Sequence, residues 1–127
     1  MIFKALSVVT PAGDRIRSGQ KTLEIRQWQP ENLPLKNLVI VQNLYRLSSV
    51  ERPHDPDGMV VAVVDITGTS DWTEDQLSRS CSTYWELGWT AWHLSNIRPV
   101  TIPVIAPARL RIYDIEIPDS TVRGMFL

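Results

Sequence analysis

Short apolar and alternating segments follow one another along the chain, and they predict strands more often than helices. The segment Phe3–Val9 and the valine-rich segment Met59–Thr67 have the composition of strands. Leu38–Gln42 is almost continuously apolar, which indicates a strand buried on both faces. Residues 109–117 alternate between polar and apolar positions and predict one more strand, and Ala91–Leu94 is a further candidate.

The sequence predicts one short helix near the start of the chain. Thr10 followed by Pro11 is typical of an N-cap and a first helical residue, which predicts a helix that runs to about residue 18. Ile16 is expected to face inward. Gly19 is expected to end this helix, since glycine readily adopts the left-handed conformation that follows many helices.

The remaining segments are predicted as loops, turns and one further helix. Asp71 is expected to cap a helix that begins near residue 72 or 73. Prolines mark residues 29–37 and 44–57 as loops, and Asn96–Pro99 as a turn. The last ten residues, 118–127, are expected to form a polar tail.

These elements together favour a mainly β fold with short helices, in the α+β class. Five or six strands and two short helices, without regular alternation, argue against a doubly wound parallel sheet. A small, mostly antiparallel β-barrel with helices at its ends fits better. The 127 residues are expected to form one domain with a core at about residues 3–117.

The stretch 19-GQKTLEIRQW-28 contains most of the candidate chemistry. As a strand it places Leu23 and Ile25 on one face and its polar side chains, among them Glu24 and Arg26, on the other. An exposed ion pair between Glu24 and Arg26 would contribute only about 0.2–1 kcal/mol, so stability gives little reason for it. The ammonium of Lys21 either lies in water or points into a cavity beside Glu24. The stretch is therefore either a solvated strand face or the floor of a binding site.

Composition limits the kinds of partner. The formal net charge is −1, so nucleic-acid binding would need a local basic patch. The single cysteine, Cys81, excludes an internal disulfide, and no signal peptide or membrane span is evident, so a cytoplasmic protein without membrane contact is expected. No cofactor is expected. His54, Asp55 and Asp57 lack a second cluster at ligand spacing, so no metal site is expected either.

Two stretches resemble the ASCH domain, a small β-barrel of the PUA-like superfamily. The family has a Gly-x-Lys-Thr-x-Glu-x-Arg segment after its first helix, and the matching residues here are Gly19, Lys21, Thr22, Glu24 and Arg26. The second stretch, 91-AWHLSNIRPV-100, resembles a later strand of the family with the pattern Gly/Ala-Trp-x-Leu and a following Arg-Pro. Order and spacing agree over about residues 3–113.

The resemblance implies a role connected with RNA, because PUA-like barrels commonly bind RNA or modified nucleosides. Some ASCH proteins are implicated in RNA cleavage. One bacterial branch hydrolyses the acetyl group of N4-acetylcytidine with a threonine nucleophile three residues after the lysine. Here that position is Glu24, and Thr22 lies two residues too early, which counts against this chemistry. Glu86 loosely matches a functional glutamate of that branch.

Several further side chains are candidates for lining the pocket. Ser7 ends the first strand, and Asn43 follows the central strand. Trp28 and Trp92 are candidates for stacking on a base, and Trp92 is ranked first because it lies in the second stretch. The arginines of 109-RLR-111 are expected to share a strand face and to form a small basic stripe.

Three functions remain open at this point. The first is the binding of RNA, or of a modified nucleoside or nucleotide, over Lys21, Glu24 and Arg26. The second is hydrolysis of RNA, or of a modified nucleoside such as N4-acetylcytidine, with Lys21 and Glu24 as catalytic residues and Glu86 as a weaker candidate. The third is a protein-interaction module. The sequence gives no indication of the oligomeric state.

Overall fold

The structure, a computed structural model, describes residues 1–126, and these residues contain seven strands and four short helical segments. None of these helices is both long enough and apolar enough to cross a membrane. The strands are β1 (Ile2–Val9), β2 (Leu23–Arg26), β3 (Leu35–Asn43), β4 (His54–Asp71), β5 (Thr90–Pro99), β6 (Ile105–Arg109) and β7 (Ile112–Glu116). The helices are α1 (Ala12–Arg17), a 3-10 turn (Glu74–Gln76), α2 (Leu77–Ser80) and α3 (Asp119–Gly124).

The strands form one mixed sheet in the order β2-β5-β4-β3-β1-β7, and β6 pairs with β4 outside this path. β1 runs parallel to β3, and the other ladders among residues 1–126 are antiparallel. The mainly β fold with short helices is confirmed. The sheet is mixed rather than purely antiparallel, because the connection through α1 and β2 is long enough for a parallel crossover between β1 and β3.

A closed barrel is not seen, because no ladder in the described part of the chain joins β6 to β7. Instead, one side-chain hydrogen bond connects β7 with β6, and another connects β1 with β6. The hydroxyl of Tyr113 in β7 donates to the carbonyl of Pro107 in β6 at 2.7 Å. The hydroxyl of Ser7 in β1 donates to the carbonyl of Arg109, also at 2.7 Å. Within the described residues, β6 therefore meets β7 and β1 through side-chain hydrogen bonds instead of a backbone ladder.

The core lies on both faces of β3, as its continuous apolar run predicts. Val39 and Val41 pack on one face with β1, β6 and β7, and Leu38 and Ile40 pack on the other with Ile16 of α1. All five side chains are fully buried. The alternation of Cβ directions along the strand explains why successive residues enter different clusters.

The first helix and its glycine agree with the sequence prediction, except at the N-cap. α1 begins at Ala12 with Pro11 in the N-cap position, and no side chain caps it. Ile16 is buried and Gly19 has φ +83°, as predicted. The second helical region differs more, because β4 continues through Asp71. Thr73 caps the 3-10 turn instead, and its backbone N–H donates to the side-chain carbonyl of Gln76 at 3.1 Å.

Three predicted loops or strands are corrected by the structure. Residues 54–57 belong to β4, because they pair with β6, a strand that the sequence did not reveal. Asn96–Pro99 is part of β5, and the turn signal marks an irregularity in its pairing where Asn96 has φ +47°. Residues 109–117 are divided between β6 and β7 by a turn in which Arg111 has φ +62°. The expected tail contains α3 and the fully buried Met125, and Leu127 lies outside the described residues.

Candidate functional site

Three charged side chains of the β2 segment form a buried network. The ammonium of Lys21 lies 3.2 Å from Oε1 of Glu24, and it also donates to the carbonyl of Ser80 at 2.8 Å. Nη2 of Arg26 donates to Oε2 of Glu24 at 2.9 Å and to the carbonyl of Ser7 at 2.9 Å. The side chains of Lys21 and Glu24 are each 8% exposed, whereas that of Arg26 is 25% exposed. Glu24 therefore joins two cations, of which Arg26 is the one nearer to solvent.

Backbone hydrogen bonds hold this network between three elements. The chain reverses at Gly19, and the N–H of Lys21 donates to the carbonyl of Arg15 in α1 at 2.9 Å. The N–H of Thr22 donates to the carbonyl of Arg79 in α2 at 2.9 Å. β2 then pairs with β5, so that Glu24 lies opposite Trp92. The position of each charged group is thus fixed by packing on both sides of β2.

The electrostatics of Glu24 follow from its two partners. Burial alone would raise the pKa of this carboxyl, but the charges and hydrogen bonds of Arg26 and Lys21 outweigh it and lower the pKa below its ordinary value. The carboxylate therefore stays ionised at neutral pH, with both oxygens engaged. Such a group is a weak proton acceptor, and its chemical role is to fix the two cations.

Arg26 lies at one side of an open cleft of about 460 Å³, which we call the arginine cleft. Arg46 and Arg111 also line it, and within residues 1–126 no aspartate or glutamate does. Tyr84 and Trp89 add aromatic surface. A cleft lined by three arginine residues, with no acid among its described lining residues, has the chemistry of an anion site.

Ser7 and Asn43, both predicted from the sequence, line the arginine cleft. β1 and β3 are parallel, so their carboxyl ends lie side by side, with Val9 opposite Asn43. The backbone carbonyl of Ser7 accepts a hydrogen bond from Arg26, and the side-chain hydroxyl of Ser7 donates to the carbonyl of Arg109. The amide of Asn43 is buried and donates to the carbonyl of Tyr45. Both residues shape the cleft mainly through bonds to backbone.

Arg46 was not predicted as a site residue from the sequence, and Arg111 was predicted only as part of a basic stripe with Arg109. Arg46 lies in the irregular segment after β3, where no periodic pattern indicates which way a side chain points. Arg111 was expected to share a strand face with Arg109. The turn at Arg111 separates them, and its guanidinium lies 4.2 Å from the ring centroid of Trp28. A basic residue just after a strand was the one signal available for Arg46.

The two tryptophans predicted to stack on a base have different positions. Trp92 is fully buried in the core, where its indole N–H donates to the carbonyl of Trp28 at 3.0 Å. The two rings meet edge to face at 4.8 Å. Trp92 lines none of the three clefts, because its ring fills the core beneath β5. Trp28 is half-buried and lines another cleft of about 310 Å³ with Lys4 and Glu31, and Arg111 lines both this cleft and the arginine cleft.

Glu86 lies in another cleft of about 260 Å³, which we call the tryptophan cleft. Its lining includes Trp72, Trp89, Tyr84 and Ile25, and the last three also line the arginine cleft. Oε2 of Glu86 accepts from Nε1 of Trp89 at 3.0 Å, so this carboxylate is engaged by an indole and not by the buried network on β2. The two clefts are neighbours that share a wall.

The acidic residues Asp55 and Asp57 belong to β4. Asp55 is buried, and its Oδ1 accepts from the N–H of Asp57 at 2.9 Å. Nowhere in residues 1–126 do three histidine, cysteine, aspartate or glutamate side chains come together in a group that could hold a metal ion.

Comparisons with known proteins agree with the sequence resemblance. A family model for the ASCH domain matches residues 6–104. The crystal structure of a serine-to-alanine variant of ZmASCH from Zymomonas mobilis is similar at TM-score 0.50 and 19% identity, over 85% of this chain and 87% of that chain. A tyrosine-to-phenylalanine variant of the same protein gives TM-score 0.49 and 18% identity, over 85% and 89% of the two chains.

At these identities the likeness to the solved structures concerns the fold alone. No curated protein matches the chain. The family model, in contrast, covers most of the sequence, from Leu6 within β1 to the residue before β6. The chain belongs to the ASCH domain family.

Proposed function

We propose that this ASCH domain binds RNA or a nucleotide, including a modified one, in the arginine cleft. The observation that carries the proposal is the convergence of Arg26, Arg46 and Arg111 on one open cleft with no acidic lining among the described residues. Arginine forks suit phosphate oxygens, and the contact is charge-assisted. A protein with a net charge of −1 that concentrates arginines at one cleft has the local patch that such binding needs.

Arg26 is the anchor of the proposed site because it is held before a ligand arrives. Its Nε and Nη2 are engaged by Glu24 and by the carbonyl of Ser7, while Nη1 has no partner within residues 1–126. A fixed guanidinium loses little side-chain entropy on binding, which favours affinity. Glu24 and Lys21 support this arginine, and in this proposal they contribute to recognition by positioning it.

Aromatic side chains supply the surface for a base. Tyr84 is 67% exposed and Trp89 is half-buried, and both line the arginine cleft. Bases stack on such rings with little dependence on sequence. The proposed ligand thus places its phosphate over the arginines and its base toward Tyr84 and Trp89. In this proposal the protein is cytoplasmic and meets its RNA or nucleotide ligand there.

Hydrolysis of RNA or of N4-acetylcytidine has weaker support. Glu24 has a lowered pKa and both oxygens engaged, so it lacks the features of a general base. Glu86 is engaged by Trp89. A protein-interaction module would need no arginine cleft. Binding of RNA or a nucleotide therefore accounts for more of the geometry than the other two functions do.

The proposal is tested by titrating the protein with nucleoside monophosphates and with a short single-stranded RNA, followed by tryptophan fluorescence and calorimetry. Saturable binding that weakens with rising salt is expected. Chromatography of the same samples, with N4-acetylcytidine included, is expected to show the ligands unchanged. Turnover of any of these ligands would favour the hydrolase. If the protein neither binds nor converts any of them, the interaction module is favoured.

A further inference from the structure

The cleft that Trp28 lines adjoins the arginine cleft at Arg111. This cleft has a volume of about 310 Å³, and we call it the Lys4 cleft. Leu110 and Arg111 line the arginine cleft, whereas Arg111 and Ile112 line the Lys4 cleft. The turn between β6 and β7 therefore lies between the two clefts, and one ligand can contact both by passing over Arg111.

Two other segments of the chain also run past both clefts. In β1, Lys4 lines the Lys4 cleft and Ser7 lines the arginine cleft. Because a strand advances about 3.3 Å per residue, these two residues are about 10 Å apart along β1. Arg26 at the end of β2 lines the arginine cleft, and Trp28 lines the Lys4 cleft. Two nucleosides joined by a phosphodiester can span such a separation.

Arg111 is exposed, yet its side chain is held in place between the clefts. Its guanidinium lies 4.2 Å from the ring centroid of Trp28 in a cation–π contact. Stacking leaves the N–H groups at the edge of the guanidinium free to donate to a phosphate. Within residues 1–126 no carboxylate forms an ion pair with Arg111. The guanidinium is thus positioned in advance and keeps its charge available for a ligand.

The backbone of Arg111 gives a second reason to assign a function to its side chain. Its φ of +62° lies in the left-handed region, which glycine and asparagine adopt more readily than arginine. A turn that needs only this conformation would be more stable with glycine. Backbone strain of this kind is often found at ligand-binding positions.

The Lys4 cleft has side chains that can bind a base. Gln29, Glu31 and Asn32 carry amide and carboxylate groups, and all three residues are exposed and within reach of a ligand. Such groups form hydrogen bonds with the edges of unpaired RNA bases. Lys4 adds a cation, which pairs with Asp114 at 2.7 Å at the surface. Because Glu31 would repel a phosphate, this cleft suits a nucleoside, and the phosphate beside it would lie at Arg111.

We propose that the ligand is a single strand of RNA with at least two nucleotides, one in the arginine cleft and the next in the Lys4 cleft, and that Arg111 binds the phosphate between them. The inference rests on the proposed function and identifies its ligand as a strand instead of a free nucleotide. The strand must be single because bases in a duplex do not offer their pairing edges.

The experiment compares the binding of uridine monophosphate, uridine diphosphate and the dinucleotide pUpU by calorimetry. Uridine diphosphate has the same formal charge as pUpU at neutral pH but lacks the second nucleoside. We expect the wild-type protein to bind pUpU about tenfold more tightly than uridine diphosphate, which corresponds to one added hydrogen bond in the second cleft. We call this ratio the dinucleotide advantage.

Two variants test the path of the strand. Arg111→Gly is expected to abolish the dinucleotide advantage and to keep thermal stability, since glycine suits the φ at this turn. Lys4→Gln is expected to reduce the advantage several-fold and to leave the binding of uridine monophosphate unchanged, because Lys4 does not line the arginine cleft. Arg123→Gln on α3 is the matched control, which also removes one positive charge but lies outside both clefts, and it is expected to keep the advantage.

Three results would overturn the inference while the proposed function stands. The first is equal binding of pUpU and uridine diphosphate by the wild-type protein. The second is an unchanged dinucleotide advantage in both Arg111→Gly and Lys4→Gln. The third is an equal loss of the advantage in Arg123→Gln, which would show that only net charge matters. If the wild-type protein binds none of the three ligands, the proposed function fails and the second subsite fails with it.

Discussion

Lys21 and Glu24 form an ion pair of 3.2 Å, in which both side chains are 8% exposed. Such a pair is unusual in a small domain, because removing two charges from water opposes folding unless each charge is fully engaged. Here the second oxygen of Glu24 receives Arg26, and the ammonium of Lys21 also donates to a backbone carbonyl. The network therefore explains how two cations and one anion are held together beneath the arginine cleft.

Glu24→Gln is expected to destabilise the fold strongly. The change leaves the buried ammonium of Lys21 without its counter-charge, and breaking a buried pair from one side costs about 3–5 kcal/mol. Urea unfolding measures the difference in the free energy of unfolding from the wild-type protein. Glu116→Gln, at an exposed position in β7, is the matched control and is expected to change it by less than about 0.5 kcal/mol. Equal effects of the two substitutions would mean that the pair does not stabilise the fold.

The stability of the wild-type protein is expected to fall in acid partly because of Glu24. Its pKa is lower in the folded than in the unfolded state, so its contribution is complete above its ordinary value of 4.5. The contribution is lost as the pH falls through the folded pKa, because the unfolded chain binds the proton first. Urea unfolding measures the free energy of unfolding of the wild-type protein and of Glu24→Gln. The difference between the two is expected to become smaller as the pH falls from 7 to 3. A constant gap would contradict the lowered pKa.

Tyr113 is expected to titrate only in strongly alkaline solution. Burial raises the pKa of its hydroxyl to about 12, although the nearby Arg109 lowers it in part. Because the folded pKa is above the unfolded one, the stabilisation is complete below about pH 10 and is lost as the pH rises toward 12. Ultraviolet titration of wild-type protein and Tyr113→Phe measures this phenol as the difference between the two curves.

The same substitution tests how β6 and β7 are joined. Tyr113→Phe removes the hydrogen bond to the carbonyl of Pro107 and is expected to cost about 1 kcal/mol in the free energy of unfolding at pH 7. A change near zero would mean that this side-chain link between β6 and β7 does not contribute to stability.

Arg46→Gln is expected to weaken RNA binding without weakening the fold. Arg46 is exposed and makes no ion pair within residues 1–126, so its removal changes little besides the charge of the cleft. Loss of one phosphate contact reduces the slope of log affinity against log salt by about one. Calorimetric titration with the RNA at several salt concentrations measures this slope. Arg123→Gln on α3, outside the cleft, is the control, and an equal effect of both would indicate only non-specific attraction.

Much of the fold around the site could be predicted from local sequence. The polar face of β2, the buried Ile16 and the positive φ of Gly19 each follow from periodicity or from a residue's own conformational preference. Ser7 and Asn43 were predicted as pocket residues from their places along β1 and β3, and these two strands are neighbours whose ends line the arginine cleft. These features depend on contacts within one element or between adjacent strands.

The features that could not be predicted depend on irregular backbone and on long-range packing. Asn96 adopts a positive φ within β5, where the sequence predicted a turn. Arg111 adopts a positive φ in a turn that divides one predicted strand into β6 and β7. Trp92 was predicted to line the pocket but lies in the core, because its ring packs in the same cluster as Ile16 and Ile40. Arg46 follows no period, and only the three-dimensional structure places it in the arginine cleft.

The central claim is that a nucleotide binds in the arginine cleft, and a crystal structure of the protein with uridine monophosphate tests it most directly. We predict that the phosphate lies within hydrogen-bond distance of at least two of Arg26, Arg46 and Arg111, with the base against Tyr84 or Trp89. A nucleotide bound elsewhere on the surface, or a cleft that stays empty at millimolar ligand, would contradict the claim.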